Sequence, residues 1–127
     1  MKTAKELDLT EHQYQALIQL REGLCRGEFV HRRNKKEPIS GKMFNMSVWK
    51  NDCGTLCCIG GWVETLTGED FNPQKSPEIH ELTHPGAVSK TVSVSNHSWR
   101  NITEKQAAAA ITNFLEEGHA HWDEVLK

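Results

Sequence analysis

Asn51-Asp52-Cys53-Gly54-Thr55-Leu56-Cys57-Cys58-Ile59-Gly60-Gly61-Trp62 holds three of the chain's four cysteines, three glycines and a tryptophan in twelve residues. The stretch reads as the N-terminal half of a buried helix that Asp52 or Thr55 caps and that runs to Thr67, with Gly68 as its terminator. Leu56, Ile59, Gly60, Val63 and Leu66 fall on one side of it. Two adjacent glycines inside a helix cost about 1 kcal/mol each relative to alanine. Such a cost suits a place where another backbone comes close, so this helix is expected at the centre of the fold. Cys57 then lies one turn inside it, and Cys53 at its mouth.

On either side the patterning changes. Thr10-Glu11-His12-Gln13 is a capping box, and Tyr14, Leu17, Ile18, Leu24 and Cys25 recur at helical spacing. The spacing predicts a helix over 11–25, ended by Gly27, with Cys25 on its buried face as a small hydrophobe. Phe44, Met46 and Val48 alternate with polar neighbours, which is strand patterning, and residues 28–32 are the expected hairpin partner. Ser76-Pro77 opens a short helix within the otherwise irregular 69–86 stretch, and Val88, Val92 and Val94 suggest a further strand at 90–95. A second capping box, Thr103-Glu104-Lys105-Gln106, begins a helix whose apolar stripe is Ala107, Ala110, Ile111, Phe114 and Leu115. Gly118 ends it, and a short helical turn or two follows.

The expected fold is therefore α+β: a single compact domain over 1–127 with about three main helices and a small antiparallel sheet of two or three strands. Residues 1–9 are expected to be a loose leader, and 31–42 and 69–86 long loops.

The totals restrict the function classes. With 37% hydrophobic and 25% charged residues the composition is that of an ordinary globular protein. No apolar run approaches the ~20 residues of a membrane helix, and Met1-Lys2-Thr3-Ala4-Lys5-Glu6 lacks a signal-peptide core. A cytoplasmic location with reduced thiols is the expectation. The net charge of −2 gives no global reason to bind nucleic acid, but the charge is uneven. Residues 26–50 carry seven Lys and Arg against Glu28 and Glu37, whereas 101–127 carries five acids against Lys105 and Lys127. Arg32, Arg33, Lys35 and Lys36 cluster as a phosphate-binding candidate, weighed against a merely solvated connection.

Three constellations could carry chemistry. Cys53, read at a helix N-terminus, is a candidate nucleophile, since the helix dipole lowers a thiol's pKa. It would need a histidine in reach, and His84, His97 and His119 are available. Cys53 with Cys57, and His80 with His84, form a C-x3-C and H-x3-H set whose spacings suit zinc. His80-Glu81-Leu82-Thr83-His84 also spells HExxH, in which two histidines bind zinc and the glutamate is the base. Pro85 biases His84 away from helical geometry, and no third ligand follows, so chance explains the match. His119-Ala120-His121 could hold a metal only if the segment is extended, because in a helical tail the rings diverge. The four tryptophans, Trp49, Trp62, Trp99 and Trp122, read as core and lid residues. No cofactor is expected, with zinc as the one alternative.

Phe44-Asn45-Met46-Ser47-Val48-Trp49 followed by Cys53-Gly54-Thr55-Leu56-Cys57-Cys58-Ile59-Gly60-Gly61-Trp62 resembles a group of small, mostly uncharacterised phage and bacterial proteins. Their shared string is F-x-M-x-x-W, then C-G-T-x-x-C-x-A-G-W. This chain departs from it with Gly60 in place of alanine and an additional Cys58. The likeness covers about 44–68 and implies a phage or mobile-element accessory protein without an activity to carry over. The leading expectation is thus a small, non-enzymatic protein that binds another macromolecule, such as a host protein. The alternatives are a hydrolase or transferase using Cys53 or His80, Glu81 and His84, and a nucleic-acid binder using 31–36. Self-association is open.

Overall fold

The computed structural model describes residues 1–31, 42–46, 56–84 and 102–126. Their elements are α1 (Glu11–Arg26), β1 (Phe29–His31), β2 (Lys42–Phe44), β3 (Leu56–Cys57), α2 (Ile59–Thr67), α3 (Pro77–Thr83), α4 (Glu104–Glu117) and α5 (Trp122–Val125). Helices and a small sheet coexist, as expected. The sheet itself differs.

It has the order β1-β2-β3 and is parallel throughout, with Phe29 opposite Lys42 and Met43 opposite Leu56. The antiparallel hairpin expected from residues 28–32 and 44–48 is therefore corrected. Alternation marks a strand with one wet face, but Met43, Phe44, Asn45 and Met46 are all buried. Burial on both faces is the condition under which parallel strands are found. The third strand is Leu56–Cys57, inside the stretch read as helix; the strand expected at 90–95 lies outside the described residues.

The helix of the cysteine stretch starts later than expected. Its N-cap is Cys58, not Asp52 or Thr55, and Cys57 is a strand residue and not one turn inside a helix. Gly68, at φ 70°, ends it as the sequence implies. Trp62 is buried in its second turn and donates from Nε1 to the Met43 carbonyl at 2.8 Å, tying α2 to β2.

α1 has both halves of its capping box and turns out of the helix at Gly27, φ 81°. Its buried face is Gln13, Ala16, Leu17, Leu20, Gly23 and Leu24, while Cys25 is exposed, contrary to the reading of that thiol as a core residue. The helix packs against α2 and α4. α4 begins at the expected capping box, ends at Gly118, and buries all five residues of the predicted stripe. The N-terminal segment packs onto the helices. Ala4, Leu7 and Leu9 are buried, the Lys2 N–H donates to the Leu115 carbonyl at 2.8 Å, and the Tyr14 hydroxyl donates to the Lys2 carbonyl at 2.7 Å. One of the last carbonyls of α4, left without a helical partner, is satisfied in this way.

Gly23 is required by packing. A Cβ there would run into the ring of Phe29. That ring is fully buried and held edge-on to Trp62, with centroids 4.8 Å apart and planes at 75°. Gly23→Ala should therefore destabilise the protein by about 1–3 kcal/mol through overpacking, although alanine is the better helix former by about 1 kcal/mol. Chemical denaturation of the two proteins measures the difference, and a more stable variant would contradict this packing.

Candidate functional site

The cysteine stretch places two of its thiols in the core. Cys57 is fully buried on β3, its Sγ 3.7 Å from Thr65 Oγ1, and the threonine hydroxyl donates onward to the Gly61 carbonyl at 2.9 Å. Cys58 caps α2: its Sγ accepts the Gly61 N–H at 3.5 Å. Burial pushes the Cys58 thiol up to about 12, outweighing the amide hydrogen bonds that favour its thiolate. At neutral pH it is a protonated, packed thiol and a weak acceptor. Cys53 lies outside the described residues, as do Arg32, Arg33, Lys35 and Lys36.

The HExxH residues sit on α3 and at its end. Ser76 Oγ accepts the Ile79 N–H at 3.1 Å, and Pro77 opens the first turn. The helix closes at Thr83, and His84 leaves helical geometry at φ −131°, ψ 83°. His80 and His84 stack with centroids 4.4 Å apart and planes at 28°. An imidazole binds metal along a lone pair lying in its ring plane, with Zn–N about 2.0–2.1 Å. Rings stacked this nearly parallel aim those lone pairs side by side more than at one ion. His84 Nδ1 lies 2.8 Å from Thr83 Oγ1. Burial, then the neighbouring His80, lowers the pKa of His84.

Glu81, the residue HExxH would use as a base, is engaged elsewhere. Its Oε1 accepts the Ala120 N–H at 2.8 Å and lies 3.6 Å from His119 Nδ1. The carbonyls of Glu81 and Leu82 both receive the Trp122 indole N–H, at 2.8 and 3.3 Å. α3 thus receives the C-terminal segment through its carboxylate and its last-turn carbonyls. Among the described residues, no three His, Cys, Asp or Glu side chains gather as a metal site. Cys57 and the His80–His84 pair are not brought together as a described cluster.

A polar cleft of about 310 Å³ lies between the N-terminal segment, the start of α3 and the end of α4. Glu6, Asp8, Glu78 and Glu117 line it together with Lys2 and His119. These residues come from three separated segments, so no local motif could reveal it. The one local sign was Ser76-Pro77, which places Glu78 in a first helical turn. No family model, curated protein or solved structure matches the chain.

Two outcomes follow from the thiols and from His84. Iodoacetamide near neutral pH should leave Cys57 and Cys58 unmodified in the folded protein and alkylate them after denaturation, as read by peptide mass spectrometry. Labelling of Cys58 at the rate of the denatured chain would remove the buried-thiol account. For His84, the unfolded chain takes up a proton as pH falls through about 6.5, whereas the folded site resists until a lower pH. Its effect is absent above that range and destabilising below it. His84→Asn, which can keep a contact to Thr83, should show a shallower fall of Tm between pH 7 and pH 5.5 than the parent; equal slopes would count against it.

Proposed function

We propose that this chain is a small, non-enzymatic protein that acts by binding another macromolecule. The observation that carries this reading is the engagement of Glu81. The carboxylate that a zinc peptidase would use on water instead holds the Ala120 amide beside His119. The two described thiols of the cysteine stretch are likewise in the core, with Cys58 protonated by burial. Of the groups that suggested an enzyme, Glu81 is thus engaged in holding the C-terminal segment.

The uneven charge supports the same reading. The C-terminal stretch is acidic, and Glu116, Glu117 and Glu124 are exposed there, whereas residues 26–50 are basic. Such polarity orients an approaching partner over about 8–10 Å, the range that physiological salt leaves unscreened. The resemblance of the cysteine stretch to small, mostly uncharacterised phage and bacterial proteins makes a host protein the partner to look for.

Cross-linking a tagged chain inside its native cells, followed by mass spectrometry, should yield a discrete heteromeric adduct. The same adduct should re-form from the two purified proteins. Recovery of the chain only by itself would overturn the reading. Salt-dependent binding of purified nucleic acid, lost in an R32A/R33A/K35A/K36A variant, would replace it with the basic-segment alternative.

A further inference from the structure

We propose that His119 and His121 form a two-histidine chelating site for a divalent cation of the zinc type, separate from the His80–His84 pair and from the cysteine stretch. In a helical tail the rings of two histidines flanking one residue diverge, and an extended segment is the expected way to bring them together. The segment is neither: it is a turn. Residues 119–121 lie between α4 and α5, outside both helices. The chain turns there through two left-handed positions, Gly118 at φ 85° and His121 at φ 56°.

The turn is held from both sides. Ala120, the residue between the histidines, is fully buried. Its N–H donates to Glu81 Oε1 at 2.8 Å, and its carbonyl accepts from Asn113 Nδ2 at 3.0 Å. With the middle residue fixed by α3 and α4, little backbone freedom is lost when an ion joins its two neighbours. The imidazole centroids are 5.9 Å apart. An ion 2.0–2.1 Å from one nitrogen of each ring lies roughly 3 Å from each ring centre, so tetrahedral binding needs the centroids at about 5 Å, which a small rotation of the two side chains provides.

Each ring also has a carboxylate on one of its nitrogens. Glu81 Oε1 is 3.6 Å from His119 Nδ1, and Glu117 Oε2 is 3.3 Å from His121 Nε2. Metal-binding histidines commonly turn their second nitrogen toward a carboxylate in this way. This leaves His119 Nε2 and His121 Nδ1 as the ligand atoms, with water completing the coordination. Imidazole nitrogen suits Zn, Cu and Ni, not Mg or Ca.

Calorimetric titration of the purified chain with zinc chloride near neutral pH tests this site. One equivalent should bind the parent and H80Q/H84Q alike, and H119Q or H121Q should each weaken binding by about tenfold or more. The His119 and His121 side chains are 53% and 34% exposed, so both single variants should fold. Matched circular dichroism melts without zinc check this. Proton NMR of the parent should show the ring signals of both residues shifting together on zinc addition. No bound equivalent, binding that survives in H119Q and H121Q, or binding lost in H80Q/H84Q would each overturn the site. None of these results decides the macromolecule-binding reading, which the cross-linking experiment tests separately.

Discussion

The described structure depends on where Trp62 sits. Its indole N–H reaches the Met43 carbonyl, and its ring meets Phe29 in a T-shaped contact, the latter in turn filling the space left by Gly23. One side chain thereby fixes α2 against β2, β1 against α2, and α1 against β1. Removing a buried aromatic of this size costs on the order of 3–5 kcal/mol, a large share of the 5–15 kcal/mol that typically holds a domain together. The hydrogen bond adds direction to that burial. Without a partner for its N–H, a tryptophan this deep would carry an unsatisfied donor.

Around this centre, the two ends of the chain are fastened by backbone groups that helices leave unpaired. Lys2 meets the Leu115 carbonyl near the end of α4, and the Trp122 indole meets the Glu81 and Leu82 carbonyls at the end of α3. Both contacts place a donor where a helix offers acceptors, so closure of the fold and capping of its helices are achieved by the same bonds. Glu81 completes the second contact from its side chain, and this explains why a glutamate between two histidines need not signal catalysis.

The helices were legible because their signals are local. Thr10 with Gln13, Thr103 with Gln106, Ser76 with Pro77, and glycines at 27, 68 and 118 each act within a few residues, and the described structure uses them all. The sheet was not legible for the opposite reason. Phe44 and Met46 suggested a strand with one wet face, but Asn45 between them is also buried, its N–H donating to the Cys57 carbonyl. Parallel pairing leaves no hairpin turn to read, and a two-residue strand such as Leu56–Cys57 has no periodicity. The polar cleft was hidden likewise, because Glu6, Glu78 and Glu117 meet only after three segments have packed. At Cys25 periodicity pointed inward, but the buried arc of α1 runs through Gln13, Ala16, Leu20 and Gly23 instead.

The choice of cysteine at position 58 has a physical logic. Ser, Thr, Asp and Asn are the strong N-caps, yet the cap of α2 is 2% exposed and belongs to the hydrophobic core. A carboxylate there would be a buried charge, and a hydroxyl or amide would bring more strongly polar atoms into the core. A thiol accepts the Gly61 N–H weakly and otherwise behaves as a small hydrophobe. The desolvation that makes cysteine tolerable as a buried cap is also what raises its pKa to about 12. Capping and chemical silence at Cys58 are thus two results of one environment. In this part of the stretch the thiols serve the start of the central helix, and any reactivity must come from residues outside that core.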